Sequence, residues 1–197
     1  MSSVLAVRTF GAFEEETVPS AESLTLVFAP SALPMRDRWR THRLSAVFLA
    51  DYFSTFFTSA EKPGGITDPR SELVSSITFI ANELLENAMK FSLPQPQQPV
   101  VLTVQLCPQR LVFLTQNCAH PAVVEQLQRY IETLLQSDPM TLYIQTMEHN
   151  AATVSDGSGL GILTILNDYT SRVGWRFEPL PEGQVLVTTQ VQLAVYE

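Results

Sequence analysis

The sequence predicts a two-layer α+β sandwich: a mixed, mainly antiparallel sheet with its helices packed on one face. Two observations predict it. Apolar and polar residues alternate, as they do along half-buried strands, in Leu24–Phe28, Val100–Leu106, Leu111–Thr115, Val173–Glu178 and Gln184–Val195. Apolar residues recur at helical spacing over about 36–57, 70–92, 123–136 and 140–149. A chain of 197 residues, 45% of them hydrophobic, is long enough to bury one substantial core, and no second domain is required.

Taken in order, residues 1–21 mix Gly, Glu, Pro and Ser without a clear period and read as a partly ordered arm. The remainder, 22–197, reads as one domain. Leu24–Phe28 is its first strand, and Pro30 and Pro34 break the chain before a helix from about Arg36 to Phe57. Glu61–Arg70, with Pro63, Gly64, Gly65 and Pro69, is a turn-rich connector to a second helix, which ends before Pro94. Val100–Leu106 and Leu111–Thr115 then make a hairpin across Pro108–Arg110. Residues 119–156 supply two more helices and the polar stretch Asn150–Ser155; Val173–Glu178 and Gln184–Val195 close the sheet.

The second helix contains Phe79-Ile-Ala-Asn-Glu-Leu-Leu-Glu-Asn-Ala-Met-Lys-Phe-Ser92. Glu83, Asn87 and Lys90 stand at i, i+4 and i+7, so they share one face, while Leu84, Leu85, Ala88 and Met89 occupy the rest of the circumference. A carboxylate and an amide buried along such a stripe need partners. Hydrated Mg²⁺ with phosphates is a suitable one, because the ion takes oxygen ligands and keeps several waters. Alone, the segment is equally an amphipathic helix with a solvated charged face. A second motif changes that balance: Ser155-Asp-Gly-Ser-Gly-Leu-Gly-Ile162 leads three alternate glycines into an apolar helix. Gly157, Gly159 and Gly161, with Leu160, can form a phosphate cradle, since glycine admits close backbone approach and a helix start offers free N–H groups. The spacing fits neither the Walker pattern nor the dinucleotide fingerprint.

With Asn87 and Gly157 lying 70 positions apart, these motifs resemble those of the GHKL ATPase superfamily, which includes gyrase and the histidine kinases. Glu83–Phe91 looks like its N box and Gly157–Gly161 like its second glycine box. Within the superfamily the chain is most similar to small anti-sigma regulatory factors, the switch-protein serine kinases, of the cyanobacterial type; Ser23–Ser31 and Leu49–Phe57 share in that likeness, which covers roughly 22–195. The resemblance implies a Bergerat ATP-binding fold, ATP and Mg²⁺ as cofactors, Glu83 as general base, and Asn87 as metal ligand. Lys90, Gly157, Gly159, Leu160 and Gly161 would complete the nucleotide site, and 119–156 would be an enlarged helical lid, able to serve also as a partner surface. It implies a STAS-domain anti-anti-sigma-like protein or a response regulator as partner, within a circuit that includes a PP2C-type phosphatase, and leaves room for a homodimer. One departure stands out. Where the family's first glycine box begins with an Asp that binds adenine, Leu111–His120 aligns Gln116, followed by Asn117, and Cys118 replaces the first Gly. Gln is neutral and longer, and Cys lacks glycine's backbone freedom. An alternative of a different class is therefore a non-catalytic interaction module that kept the fold and lost nucleotide binding.

The formal charge of −8 argues against a nucleic-acid surface. Arg36, Arg38, Arg40 and Arg43 nevertheless cluster around Trp39, as a solvated helix start or as a local anionic contact. Trp39 and Trp175 read as packing residues, and His42, His120 and His149 as surface or lid residues. Cys107 and Cys118, on neighbouring strands, read as reduced, buried thiols. The N-terminus lacks the pattern of a signal peptide, and Leu44–Phe57 is too short to cross a bilayer, so a cytoplasmic location is expected.

Overall fold

The structure is a computed structural model that describes residues 6–15, 22–29, 35–57, 69–93, 98–153, 159–169 and 171–195. Its elements are β1 (Arg8–Gly11), β2 (Glu22–Phe28), α1 (Met35–Ser54), α2 (Pro69–Phe91), β3 (Val100–Cys107), β4 (Arg110–Ala119), α3 (Pro121–Gln136), α4 (Pro139–Thr153), α5 (Gly161–Asp168), β5 (Ser171–Pro179) and β6 (Val185–Ala194), with a 3₁₀ turn at Pro181–Gly183. The six strands form one sheet in the order β1-β5-β6-β4-β3-β2. The fold is an α+β sandwich, but its sheet is not mixed: all five pairings are antiparallel. Two of them, β3 with β4 and β5 with β6, join strands linked by a short turn, where a tight return favours the antiparallel sense.

Alternation along the strands separates the two faces of the sheet. Leu24 and Leu26 of β2, Leu102 and Val104 of β3, Phe113 of β4, Val191 of β6, and Val173 and Trp175 of β5 stand in register on the side facing the helices. Against them α2 presents Ile77, Ile80, Ala81, Leu84, Leu85 and Ala88, all buried. The same core takes in Leu49 and Phe53 of α1, Ile131 of α3, and Leu163 and Ile165 of α5. Leu93 N–H donates to the Cys118 carbonyl at 2.8 Å, which fastens the end of α2 to the end of β4.

Two segments do more than their sequence suggested. Within the segment read as an arm, Arg8–Gly11 forms the edge strand beside β5, too short for alternation to reveal. The chain then turns across the opposite face of the sheet. Gly174 lets it pass, since a Cβ there would strike the Phe13 backbone. Gln190 and Gln192 hold the crossing segment through the Glu14 and Ala12 carbonyls (3.1 and 3.0 Å), and Arg110 grips the Glu14 carboxylate at 2.8 Å. The Arg110 guanidinium holds the Glu14 carboxyl below its usual pKa. Helix α3, expected as a lid, also closes the core: Val124, Ile131 and Leu134 are buried. His120 caps it, its Nδ1 accepting from the Ala122 N–H at 3.2 Å, a role its place in the sequence did not reveal.

Trp175 is buried, as a packing residue would be, and both cysteines are buried free thiols. Arg43 is exposed, while the side chains of Arg36, Arg38, Trp39 and Arg40 lie outside the described residues. Among the described residues no helix is long and apolar enough to cross a membrane. Phe113 is fully buried at the centre of the sheet, so Phe113→Ala is expected to cost about 3–5 kcal/mol of unfolding free energy, read as a lowered urea midpoint with unchanged slope.

Candidate functional site

The glycine-rich turn and the polar stripe of α2 meet in space. Helix α5 begins at Gly161 without a side-chain cap, so its first N–H groups have no partner of that kind. Directly against Gly161 lies the Glu83 carboxylate: a Cβ on Gly161 would collide with it, with Cδ 2.6 Å away. A side chain at Gly161 would have to displace the Glu83 carboxylate, while the helical backbone of Gly161 makes no demand of its own. Gly159 is required by conformation, since its φ of 97° is one that side-chain-bearing residues rarely adopt.

The helices of the 119–156 segment bear on the same turn. The Tyr130 hydroxyl of α3 donates to the Gly159 carbonyl at 3.4 Å, and the Thr146 methyl of α4 lies 3.8 Å from where a Cβ on Gly159 would stand. Helix α4 starts at Asp138, which accepts from both the Thr141 N–H and hydroxyl at 2.9 Å, and Asn167 of α5 donates to the Pro139 carbonyl at 3.2 Å. The far end of the α2 stripe is closed by Phe79 stacked on Tyr169, ring centroids 5.5 Å apart.

Electrostatics single out Glu83. Burial pushes its carboxyl above the ordinary carboxylate pKa, and the Glu86 carboxylate on the next position around the helix adds to the shift. Burial likewise raises the Tyr130 phenol. A half-buried carboxylate with a raised pKa, beside a helix start, is a stronger base than a surface one and a point where a proton can be held.

The predicted site residues separate into groups. Glu83, Gly159, Leu160 and Gly161 come together as described, and Asn87 follows one turn along α2, half-buried. Gly157 lies outside the described residues. Lys90 is exposed at the helix end, its ammonium 5.5 Å from the centre of the Phe91 ring. Gln116, aligned with the adenine-binding Asp, points to the other face of the sheet: it stands opposite Thr188, to whose hydroxyl its amide donates at 3.4 Å. The next residue, Asn117, faces the helices and is only 6% exposed. A strand's period of two decides this, so a one-residue change in alignment exchanges the two roles. Tyr130 and Thr146 went unnoticed at the level of sequence because neither belongs to a motif; they reach the turn through the packing of α3 and α4.

No protein-family model matches the chain, and comparison with curated proteins finds no match.

Two outcomes test this geometry. Gly161→Ala should cost about 1–3 kcal/mol by overpacking against Glu83, and Glu83→Ala should relieve most of that cost in the double variant, which a double-mutant cycle by urea unfolding measures. The raised pKa gives a sign for pH: the folded state prefers protonated Glu83, so ionisation weakens folding above the folded pKa, and the loss is recovered as pH falls towards the unfolded value near 4.5. Glu83→Gln should accordingly have the higher Tm at neutral pH, with the gap narrowing as pH is lowered to about 4.5.

Proposed function

We propose that the chain is a cytoplasmic signalling regulator with a Bergerat-type nucleotide fold, which binds ATP with Mg²⁺ and acts by gripping a protein partner of STAS-domain or response-regulator type. The observation that carries this reading is the contact of Glu83 with Gly161, which unites two motifs far apart in sequence. The donor set suits the cofactors. Mg²⁺ shared with phosphates needs one or two protein oxygens, and Glu83 and Asn87 present them from one face of α2. Among the described residues no group of three or more His, Cys, Asp or Glu forms a cage for a metal by itself. The first N–H groups of α5, which no side chain caps, and the Gly159 turn suit phosphate oxygens. Asn117, buried on the helix side, takes over from Gln116 as the adenine-facing group. Bound Mg²⁺ would neutralise phosphate charge; Glu83, with its raised pKa, would draw the proton from a serine hydroxyl of the partner.

A second reading, an interaction module without nucleotide, is favoured by the way protein groups already fill the cleft: Glu83 abuts Gly161, and Tyr130 and Thr146 close on Gly159. Titration calorimetry separates the two. The nucleotide reading expects ATP–Mg²⁺ to bind with Kd on the order of 10–1,000 μM, about 4–7 kcal/mol. Asn87→Ala should abolish the Mg²⁺ dependence, and Glu83→Gln should keep binding while slowing transfer of labelled phosphate to a STAS-domain serine roughly 10²–10⁴-fold. No heat at millimolar ATP–Mg²⁺ decides for the interaction module.

A further inference from the structure

The face of the sheet away from the helices carries a polar arrangement that the nucleotide reading does not use. Gln190 and Gln192 of β6, Arg110 of β4 and Arg172 of β5 share that face by their register. Both glutamines are almost fully buried, at 1% and 4% exposed. Their amides are linked, Gln192 Nε2 donating to Gln190 Oε1 at 3.0 Å, and Gln192 Oε1 accepts from Arg110 Nη1 at 2.7 Å, so the network also fixes the guanidinium.

What this network holds is a short length of chain, Ala12–Glu14. Gln190 reads both backbone groups of Glu14: its Oε1 accepts from the Glu14 N–H at 2.9 Å, and its Nε2 donates to the Glu14 carbonyl at 3.1 Å. Gln192 donates to the Ala12 carbonyl at 3.0 Å. Arg110 takes the Glu14 carboxylate with both terminal nitrogens, at 3.3 and 2.8 Å, and Arg172 stands 3.6 Å from it. Gly174 leaves the backbone room to lie against the sheet. Hydrogen bonds to main-chain groups, with a guanidinium fork on a carboxylate, are a means of recognising a peptide.

Two features make the segment replaceable. Its grip is polar: Ala12, Phe13 and Glu14 are half-buried and none packs into the hydrophobic core, whereas Phe10 just before them does. Water can take over each of those bonds when the segment lifts. The site is also larger than its occupant. A cleft of about 490 Å³ adjoins Arg110 and Arg172, lined further by Gln109, Tyr169, Ser171 and Gln192, with no Asp or Glu in its walls. Two guanidiniums meet one carboxylate here, so in a chain of formal charge −8 the cleft is locally positive, and the Arg172 side chain at its edge is 65% exposed.

We propose that this part of the sheet's outer face is a peptide site for a short acidic segment of a protein partner, and that Ala12–Glu14 occupies it as an internal competitor. The incoming carboxylate replaces Glu14 between Arg110 and Arg172, its backbone takes over the Gln190 amide, and its neighbouring residues enter the cleft. The site lies across the sheet from α2 and α5 and does not depend on nucleotide binding. A tethered segment competes at an effective concentration in the millimolar range, so a free peptide binds weakly until the chain's own segment is expelled. The test is fluorescence anisotropy at low ionic strength, with the full chain and a labelled peptide of its residues 11–17, Gly-Ala-Phe-Glu-Glu-Glu-Thr. Glu14→Arg sets a third guanidinium against Arg110 and Arg172 and should expel the segment, read as lost amide protection at Ala12 and Glu14. The peptide should then bind at least about tenfold more tightly than to the wild type. Glu14→Gln, which removes only the charge, should fall between the two, and carries the test if Glu14→Arg does not fold. In the Glu14→Gln chain, Arg172→Ala at its exposed position should weaken the peptide several-fold, and a peptide with Gln in place of all three Glu should not bind. Equal affinity for the wild type and both Glu14 variants, no binding to either variant, or equal binding of the Gln peptide overturns the proposal. So does sodium acetate that displaces the peptide as readily as unlabelled peptide does, which would mean a site for a small carboxylate alone.

Discussion

Everything in this molecule is arranged around the burial of α2. Its apolar residues, from Ile77 to Ala88, touch the sheet on one side and α1 on another, so removing water from that helix joins both layers. At roughly 25 cal/mol per Å² of apolar surface, this burial outweighs ion pairs such as Arg8–Glu132 and Arg129–Glu125, whose side chains are largely exposed. It also imposes a cost. A helix surrounded on most sides cannot keep all its polar residues in water, and Glu83 is its partly buried carboxylate, one that resists ionisation.

That cost is localised rather than dispersed. Glu83 meets Gly161, where the absence of a side chain admits the carboxylate and the start of α5 supplies backbone N–H groups. A carboxylate beside a helix N-terminus gains from the helix dipole. Burial still outweighs that gain, as the raised pKa records. The result is a polar spot held rigidly inside an apolar frame, with α3 and α4 leaning over it through Tyr130 and Thr146. The same arrangement suits a site for a phosphate-bearing ligand and, if protein groups keep the cleft filled, a switch that reads partner binding.

The side of the sheet away from the helices is finished by other means. Gln190, Gln192 and Arg110 are buried or half-buried there, and the segment Ala12–Glu14 satisfies them with carbonyls and one carboxylate. A row of amides on a strand would be costly if left dry and unpaired. The N-terminal segment therefore completes the fold. At the far edge, β2 pairs only with β3 among the described residues, so the two edges of the sheet are finished differently.

Much of this was legible in the sequence, for physical reasons. Period-two alternation located five strands and period-3.6 patterning located the long helices, because each pattern is the imprint of one buried face. The polar stripe of α2 and the glycine-rich turn could be read because each is a pattern of residue types at short spacing. Other features were not legible. Strand β1 is four residues long, so no period could emerge, and its place beside β5 depends on a contact across most of the chain. The sequence set both Gln116 and Asn117 at the site, and only the register of β4 with β6 put them on opposite faces of the sheet. The sequence by itself determined the long helices, five of the strands and the two motifs that stand out from them, since these follow from local spacing. The tertiary structure alone decided that the strands all run antiparallel, that Glu83 meets Gly161, and that Tyr130 reaches Gly159, because these are set by how distant segments share one core.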